Sequence, residues 1–111
     1  SISYNKLGDV QREGGDLAGA KARYEEGLKV RERLARDNPG SASAQRDLSI
    51  SYERLGDVAE KSDDLRTAID RYEQSLPIAK GLATRNPAHS GLTRDAEITE
   101  QNLARLKAKL G

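Results

Sequence analysis

Apolar positions recur along this chain at three- and four-residue steps, the period of a helix with one buried face. Leu48, Tyr52, Leu55 and Val58-Ala59 form one such stripe. Leu65, Ala68-Ile69, Tyr72, Ser75-Leu76, Ala79 and Leu82-Ala83 form a second, longer one. An earlier stripe runs through Leu17, Ala20, Tyr24, Gly27-Leu28, Arg31 and Leu34-Ala35, and Arg31, which interrupts it, is expected at its edge. The breaks between stripes carry turn chemistry. Gly14-Gly15-Asp16 and Ser62-Asp63-Asp64 each place a turn residue before an aspartate able to cap the next helix. Asp63 takes the place of Gly15 and is expected in the same left-handed position. Asn38-Pro39 and Asn86-Pro87 stop the long helices, since Asn tolerates a left-handed backbone and Pro cannot extend the ladder. Ser41 or Ser43 can start the next helix, and Ser90 or Thr93 the last. The pattern predicts five helices, at 2–13, 17–37, 42–61, 65–85 and 91–110, joined by connections short enough to make neighbours antiparallel.

The stripes are copies of one another. Ser1-Ile2-Ser3-Tyr4 returns as Ser49-Ile50-Ser51-Tyr52, and Leu7-Gly8-Asp9-Val10 as Leu55-Gly56-Asp57-Val58. Tyr24-Glu25 returns as Tyr72-Glu73, and Arg46-Asp47 as Arg94-Asp95. Each pair is 48 residues apart, and about 21 of the 48 positions of the first copy recur identically, which makes a chance register untenable. The last helix keeps the pattern in part: Tyr52 becomes Glu100 and Gly56 becomes Ala104, as suits a more polar end helix. The chain starts without Met, inside an expected helix, and reads as a piece of a longer protein. Pro77 sits where the first copy has Lys29, inside the fourth helix. Its missing amide and its clash with the carbonyl of Glu73 predict a kink, tolerated or put to use in shaping a surface.

Composition narrows the function. Only 35% of the 111 residues are hydrophobic, with no Phe, Trp, Met or Cys, a thin supply for a globule but sufficient for stacked helix pairs. Charged residues reach 33% at a formal net charge of +1, which argues against a strong pull on nucleic acid or membrane. No apolar run approaches the roughly 18 residues of a spanning helix, and SISYNKLGDV lacks the layout of a signal peptide. The absence of Cys is compatible with a reducing cytoplasm. Catalysis has little to stand on. His89 is the only histidine and has no Cys or second His as partner, Asp63-Asp64 is a turn and cap, and Gly14-Gly15 lacks the lysine of a phosphate loop. No catalytic, metal or cofactor site is expected.

These residues resemble the tetratricopeptide repeat family. Its signature steps fall on Tyr52, Leu55, Gly56, Ala59, Ala68, Tyr72 and Ser75, and on Tyr4, Leu7, Gly8, Ala20, Tyr24 and Gly27, with Gln11 departing. Gly8, Gly56, Ala20 and Ala68 would let helices approach closely, with Tyr24 and Tyr72 filling the gap between repeats. The family's usual period is about 34 residues, so this chain looks like a long-helix variant, similar to extended repeats in large bacterial signalling and scaffold proteins. The resemblance implies an all-α, right-handed α-solenoid of antiparallel helix pairs. Residues 1–40 would be a truncated first repeat, 41–88 the second and 89–111 a terminal helix. A plain antiparallel bundle is the competing architecture.

The resemblance also implies a non-catalytic scaffold that holds a peptide or helix of a partner protein on the concave face. Carried across, that face takes Ile2, Asn5, Asp9 and Arg12 from the first copy and Ile50, Glu53, Asp57 and Glu60 from the second. The third gives Ile98, Gln101, Arg105 and Lys109, with Arg46 and Arg94 extending the rows. The isoleucines form an apolar ladder suited to a partner's helix or strand. Their competing role is packing between helices, and that of Asp9, Asp57, Arg46 and Arg94 is a solvated face with weak salt bridges. The alternative function is structural: self-assembly of repeats end to end, through apolar surface left on Leu103, Leu106 and Leu110.

Overall fold

The computed structural model describes Asp9 and residues 15–111. These form four helices, α1 (Leu17–Asp37), α2 (Ala42–Lys61), α3 (Leu65–Arg85) and α4 (Ser90–Leu110), with no strand among the described residues. They are the second to fifth of the expected helices. The first lies outside the described residues except for Asp9, which is helical.

Each boundary has a local cause. Asp16, Ser41 and Asp64 cap α1, α2 and α3 by accepting from the amides of Gly19 at 2.9 Å, Ala44 at 3.1 Å and Thr67 at 3.2 Å. The helix α4 starts at Ser90, one of the two expected starts, but its cap is His89, which makes no side-chain bond to the helix, so neither Ser90 nor Thr93 caps it. Asp63 does occupy the left-handed position, at φ 62°, as Gly15 does at φ 86°. The amide of Asp64 then reaches back to the carbonyl of Ala59 at 2.8 Å, and that of Asp63 to Glu60 at 3.0 Å, closing α2 in a Schellman turn. The two Asn-Pro stops work otherwise than expected. Asn38 and Asn86 have φ of −130° and −134°, not left-handed values. Each instead donates its side-chain amide to the carbonyl four residues back, Leu34 at 2.9 Å and Leu82 at 3.0 Å, the same carbonyl its backbone N–H reaches; the Ala35 carbonyl that Pro39 cannot serve accepts from the Gln45 side chain at 3.3 Å. Pro77 is exposed within α3, which runs through it unbroken.

Successive helices pack as antiparallel neighbours. Residue numbers rise on one helix as they fall on the other: Arg31 meets Asp47 and Tyr52 meets Glu32 between α1 and α2, while Glu73 meets Lys107 and Lys80 meets Glu100 between α3 and α4. The buried side chains form two clusters. Ala20, Tyr24 and Leu28 of α1 lie with Tyr52, Leu55 and Val58 of α2. Ala68, Ile69 and Tyr72 of α3 lie with Ala59 of α2 and Leu103 and Leu106 of α4. Small residues set the spacing. Ala20 and Ala68 are fully buried, the hydroxyls of Ser49 and Ser75 meet at 2.9 Å, and a Cβ on Gly56 would come within 2.7 Å of the Tyr72 ring.

Two expectations fail on burial. Arg31 does not sit at the edge of its stripe. It is buried, and its guanidinium reaches Asp47 at 3.2 Å, so a partner on the next helix makes an interior arginine tolerable. The end helix does not leave its leucines bare: Leu103 and Leu106 are buried against α3, and of the three only Leu110 remains exposed, at 44%.

Equivalent junctions use different chemistry at equivalent places. Between α1 and α2 the Tyr52 hydroxyl donates to Glu32 at 3.0 Å. Burial, aided by Glu32, pushes this phenol up to about 12, so it stays a donor at neutral pH. Forty-eight residues on, Lys80 and Glu100 take those two places and pair at 3.5 Å. Arg31, paired with Asp47, is succeeded by buried Ala79.

Candidate functional site

The helices α2 and α4 do not follow one another in sequence, yet their side chains meet. Arg46 donates from Nε and Nη2 to Asp95 at 3.3 and 3.2 Å. Thr99 donates its hydroxyl to Glu53 at 2.7 Å. Arg105 clasps Glu60 with both terminal nitrogens, one of them at 2.9 Å, and also reaches Asn102 at 3.2 Å. These contacts advance in the same direction on both helices, so α2 and α4 run parallel, held by rungs one to two turns apart. Positions 46, 53 and 60 recur every seven residues and therefore share one side of α2.

Of the side chains expected on a ligand-facing surface, Arg46, Glu53, Glu60 and Arg105 are thus engaged in these rungs, and Glu60 and Arg105 with each other. Asp9 accepts from the Tyr24 hydroxyl and takes Arg54 Nε at 3.2 Å. Asp57 repeats the first contact, accepting from Tyr72 at 2.5 Å. These carboxylates orient the tyrosines that fill the core, a role that fifteen-residue spacing in both copies could have suggested. Burial, then Asp57, raises the Tyr72 phenol far above its ordinary value, so it too remains a donor. Arg46, Glu60 and Arg105 belong to the rungs. Ile50 is half-buried and Ile98 is 44% exposed. Arg94, Gln101 and Lys109 are exposed. Ile2, Asn5 and Arg12 lie outside the described residues. Arg54 and Thr99 escaped the sequence reading. Which residues face each other across parallel helices depends on their axial offset, and no period in one helix encodes that.

Two carboxylates in this ladder differ. The hydrogen bonds from Arg105 hold Glu60 below the usual carboxylate range, and Glu60 in turn raises Arg105. Glu53 is pushed up, first by burial and further by the charges of Asp95 and Asp57, with the Thr99 bond and the Arg54 charge opposing. Among the described residues Glu53 has no cation within ion-pair distance, and the oxygen not used by Thr99 makes no hydrogen bond.

Three clefts lie elsewhere. One of about 260 Å³ has a floor of Leu17, Leu55, Val58 and Ala59 between α1 and α3, with Lys21, Glu25, Asp64 and Arg71 at its rim. Another of about 260 Å³ lies between Arg46, Leu82 and His89. The third lies along α3 from Thr67 to Gln74. Among the described residues no group of three or more His, Asp or Glu could hold a metal ion, and no helix is long and apolar enough to cross a membrane.

No curated protein and no solved structure matches the chain. The sequence description of the tetratricopeptide repeat matches residues 1–81, covering the repeated tyrosines, the Leu-Gly-Asp-Val copies and α1, α2 and most of α3. On that match, and on antiparallel helix pairs closed by Gly56, Ala68 and Tyr72, the chain belongs to the tetratricopeptide repeat family.

Proposed function

We propose that this chain is a non-catalytic interaction scaffold that holds a peptide or helix of a partner protein on the concave face, to which α2 and α4 contribute. Repeats of this family typically serve as protein-interaction modules. The observation that carries the reading is Ile98. It is 44% exposed on the same side of the array as half-buried Ile50, between the Arg46–Asp95 and Glu53–Thr99 rungs. An apolar side chain left uncovered among polar groups fixed by mutual bonds offers a partner contact area at little ordering cost. Assembly through α4 finds less support, since Leu103 and Leu106 are already buried.

Peptides selected from a random display library on the immobilised chain test the reading. Ile98→Glu should abolish their binding without lowering the melting temperature, because the side chain is largely in water. Leu110→Glu, at the end of the array, should leave binding intact. Selected peptides that bind Ile98→Glu as well as the parent would place the binding surface elsewhere.

A further inference from the structure

Beside the isoleucines of the described helices stand Glu53 on α2 and its equivalent Gln101 on α4, a carboxylate and an amide. On the described helices this carboxylate stands apart. The rungs on either side of it, Arg46–Asp95 and Glu60–Arg105, each contain both signs of charge and are internally neutral. The central rung joins Glu53 to a neutral hydroxyl, leaving one half-buried negative charge with an oxygen that makes no hydrogen bond among the described residues. Asp95 and Asp57 are close enough to act on Glu53, and Arg54, paired with Asp9, offsets them in part. Apolar contacts adjoin it. Ile50 lies one turn before Glu53 on α2, and Ile98 neighbours Thr99 on α4.

Resting on the groove reading above, we propose that this face selects a partner segment carrying a lysine or arginine next to an apolar side chain. The cation meets the oxygen of Glu53 that Thr99 does not use, and the apolar neighbour lies on Ile50 and Ile98. Arg46 and Arg105 do not compete for Glu53, because each is committed to its own carboxylate. A half-buried carboxylate without a cation costs the fold stability, and a basic ligand removes that cost when it binds. The same charge repels an acidic segment, so it discriminates as well as attracts.

The probes are a fluorescein-labelled nonapeptide of alternating leucine and serine with a central lysine, and versions with central alanine or glutamate. Each is titrated with the intact chain at low ionic strength and followed by fluorescence polarisation. The lysine peptide should bind roughly tenfold tighter than the alanine peptide, the worth of one charge-assisted hydrogen bond, and the glutamate peptide should bind worst. Glu53→Gln keeps an acceptor for Thr99 and should bring the lysine and alanine peptides to within about twofold while both still bind. Ile98→Ser should weaken all three. If Glu53→Gln leaves the lysine preference unchanged, or if the glutamate peptide binds best, the basic-partner inference is overturned while the groove stands. If no peptide binds, or if binding ignores Ile98→Ser, both fall.

Discussion

Substituting Gly56 by alanine tests the packing logic of the fold at its tightest point. A methyl group there would lie 2.7, 2.9 and 3.0 Å from three carbons of the Tyr72 ring. The ring has nowhere to go. Tyr72 is 1% exposed, it is packed among Ala59, Ala68, Leu103 and Leu106, and its hydroxyl is held by Asp57 at 2.5 Å. Relieving the clash needs a shift of several tenths of an ångström in α2 or α3, an overpacking cost of about 1–3 kcal/mol. If the ring moves instead, the bond to Asp57 weakens, and hydrogen bonds to charged groups are worth about 1.5–3 kcal/mol. Against this, alanine is better than glycine inside a helix by about 1 kcal/mol. The net expectation is a loss of up to about 2 kcal/mol, or up to roughly 10 °C in melting temperature for a domain of this size. Gly81→Ala is the matched control. It lies inside α3, where the nearest atoms are the end of the Arg85 side chain at 3.7 Å or more, so only the helix preference acts. It should gain up to about 1 kcal/mol. Circular dichroism melts and urea titrations of both variants give the answer. Opposite signs are required, and a Gly56→Ala variant as stable as Gly81→Ala would refute the claim that close approach to Tyr72 demands glycine.

Other expectations follow from single contacts. Asp63→Gly relieves a left-handed non-glycine residue and should stabilise by about 0.5–1 kcal/mol in urea unfolding; a loss would assign the Asp63 side chain a contact of its own. Ala68→Leu puts a larger side chain into a fully buried site and should cost about 1–3 kcal/mol; an unchanged melting temperature would contradict that burial. Glu53 is raised by burial, so the folded chain holds its proton to higher pH than the unfolded chain. The ionised form therefore weakens the fold above the raised value, and the weakness fades as pH falls through that value and is gone below the ordinary glutamate range. Glu53→Gln should accordingly raise the melting temperature at neutral pH, with the gain shrinking toward acid, and a constant gain would show that charge is not its source. Glu60 has the opposite sign: its depressed value means the Arg105 contact contributes above the ordinary glutamate range and is lost as pH falls through the depressed value, so destabilisation by Glu60→Gln should narrow in acid melts.

Local signals carried most of the fold. The bounds of α1, α2 and α3 follow from Asp16, Ser41 and Asp64 before the helices and from Asn-Pro or the Asp63 turn after them, all readable within a few residues. The cap of α4 was not legible because His89 makes no cap bond, so no side chain marks it. Arg31 was misplaced because its burial depends on Asp47, sixteen residues away on another helix. The candidate face shows the same division. The rows were legible because 48-residue copies repeat them. The bonding of Arg46 to Asp95 and of Glu60 to Arg105 was not, because it is set by how far α4 slides along α2.

The unlike junctions constrain the order in which such units can be joined. Near-identical repeats risk docking onto the wrong neighbour while folding, since each presents a similar apolar edge. Glu32 ends one unit and meets the Tyr52 hydroxyl, whereas Lys80 ends the next and meets the Glu100 carboxylate. Were α1 to dock directly on α4, Glu32 would face Glu100, two like charges at the same spot. Were a second copy of α2 to follow α3, Asp47 would find Ala79 where Arg31 belongs and would lose its guanidinium. Each mismatch is small beside the buried apolar area, but a misassembled array would carry several together. The polar exceptions to an otherwise repetitive sequence thus favour the observed succession, the order in which Glu32, Arg31 and Lys80 each meet a partner on the next helix.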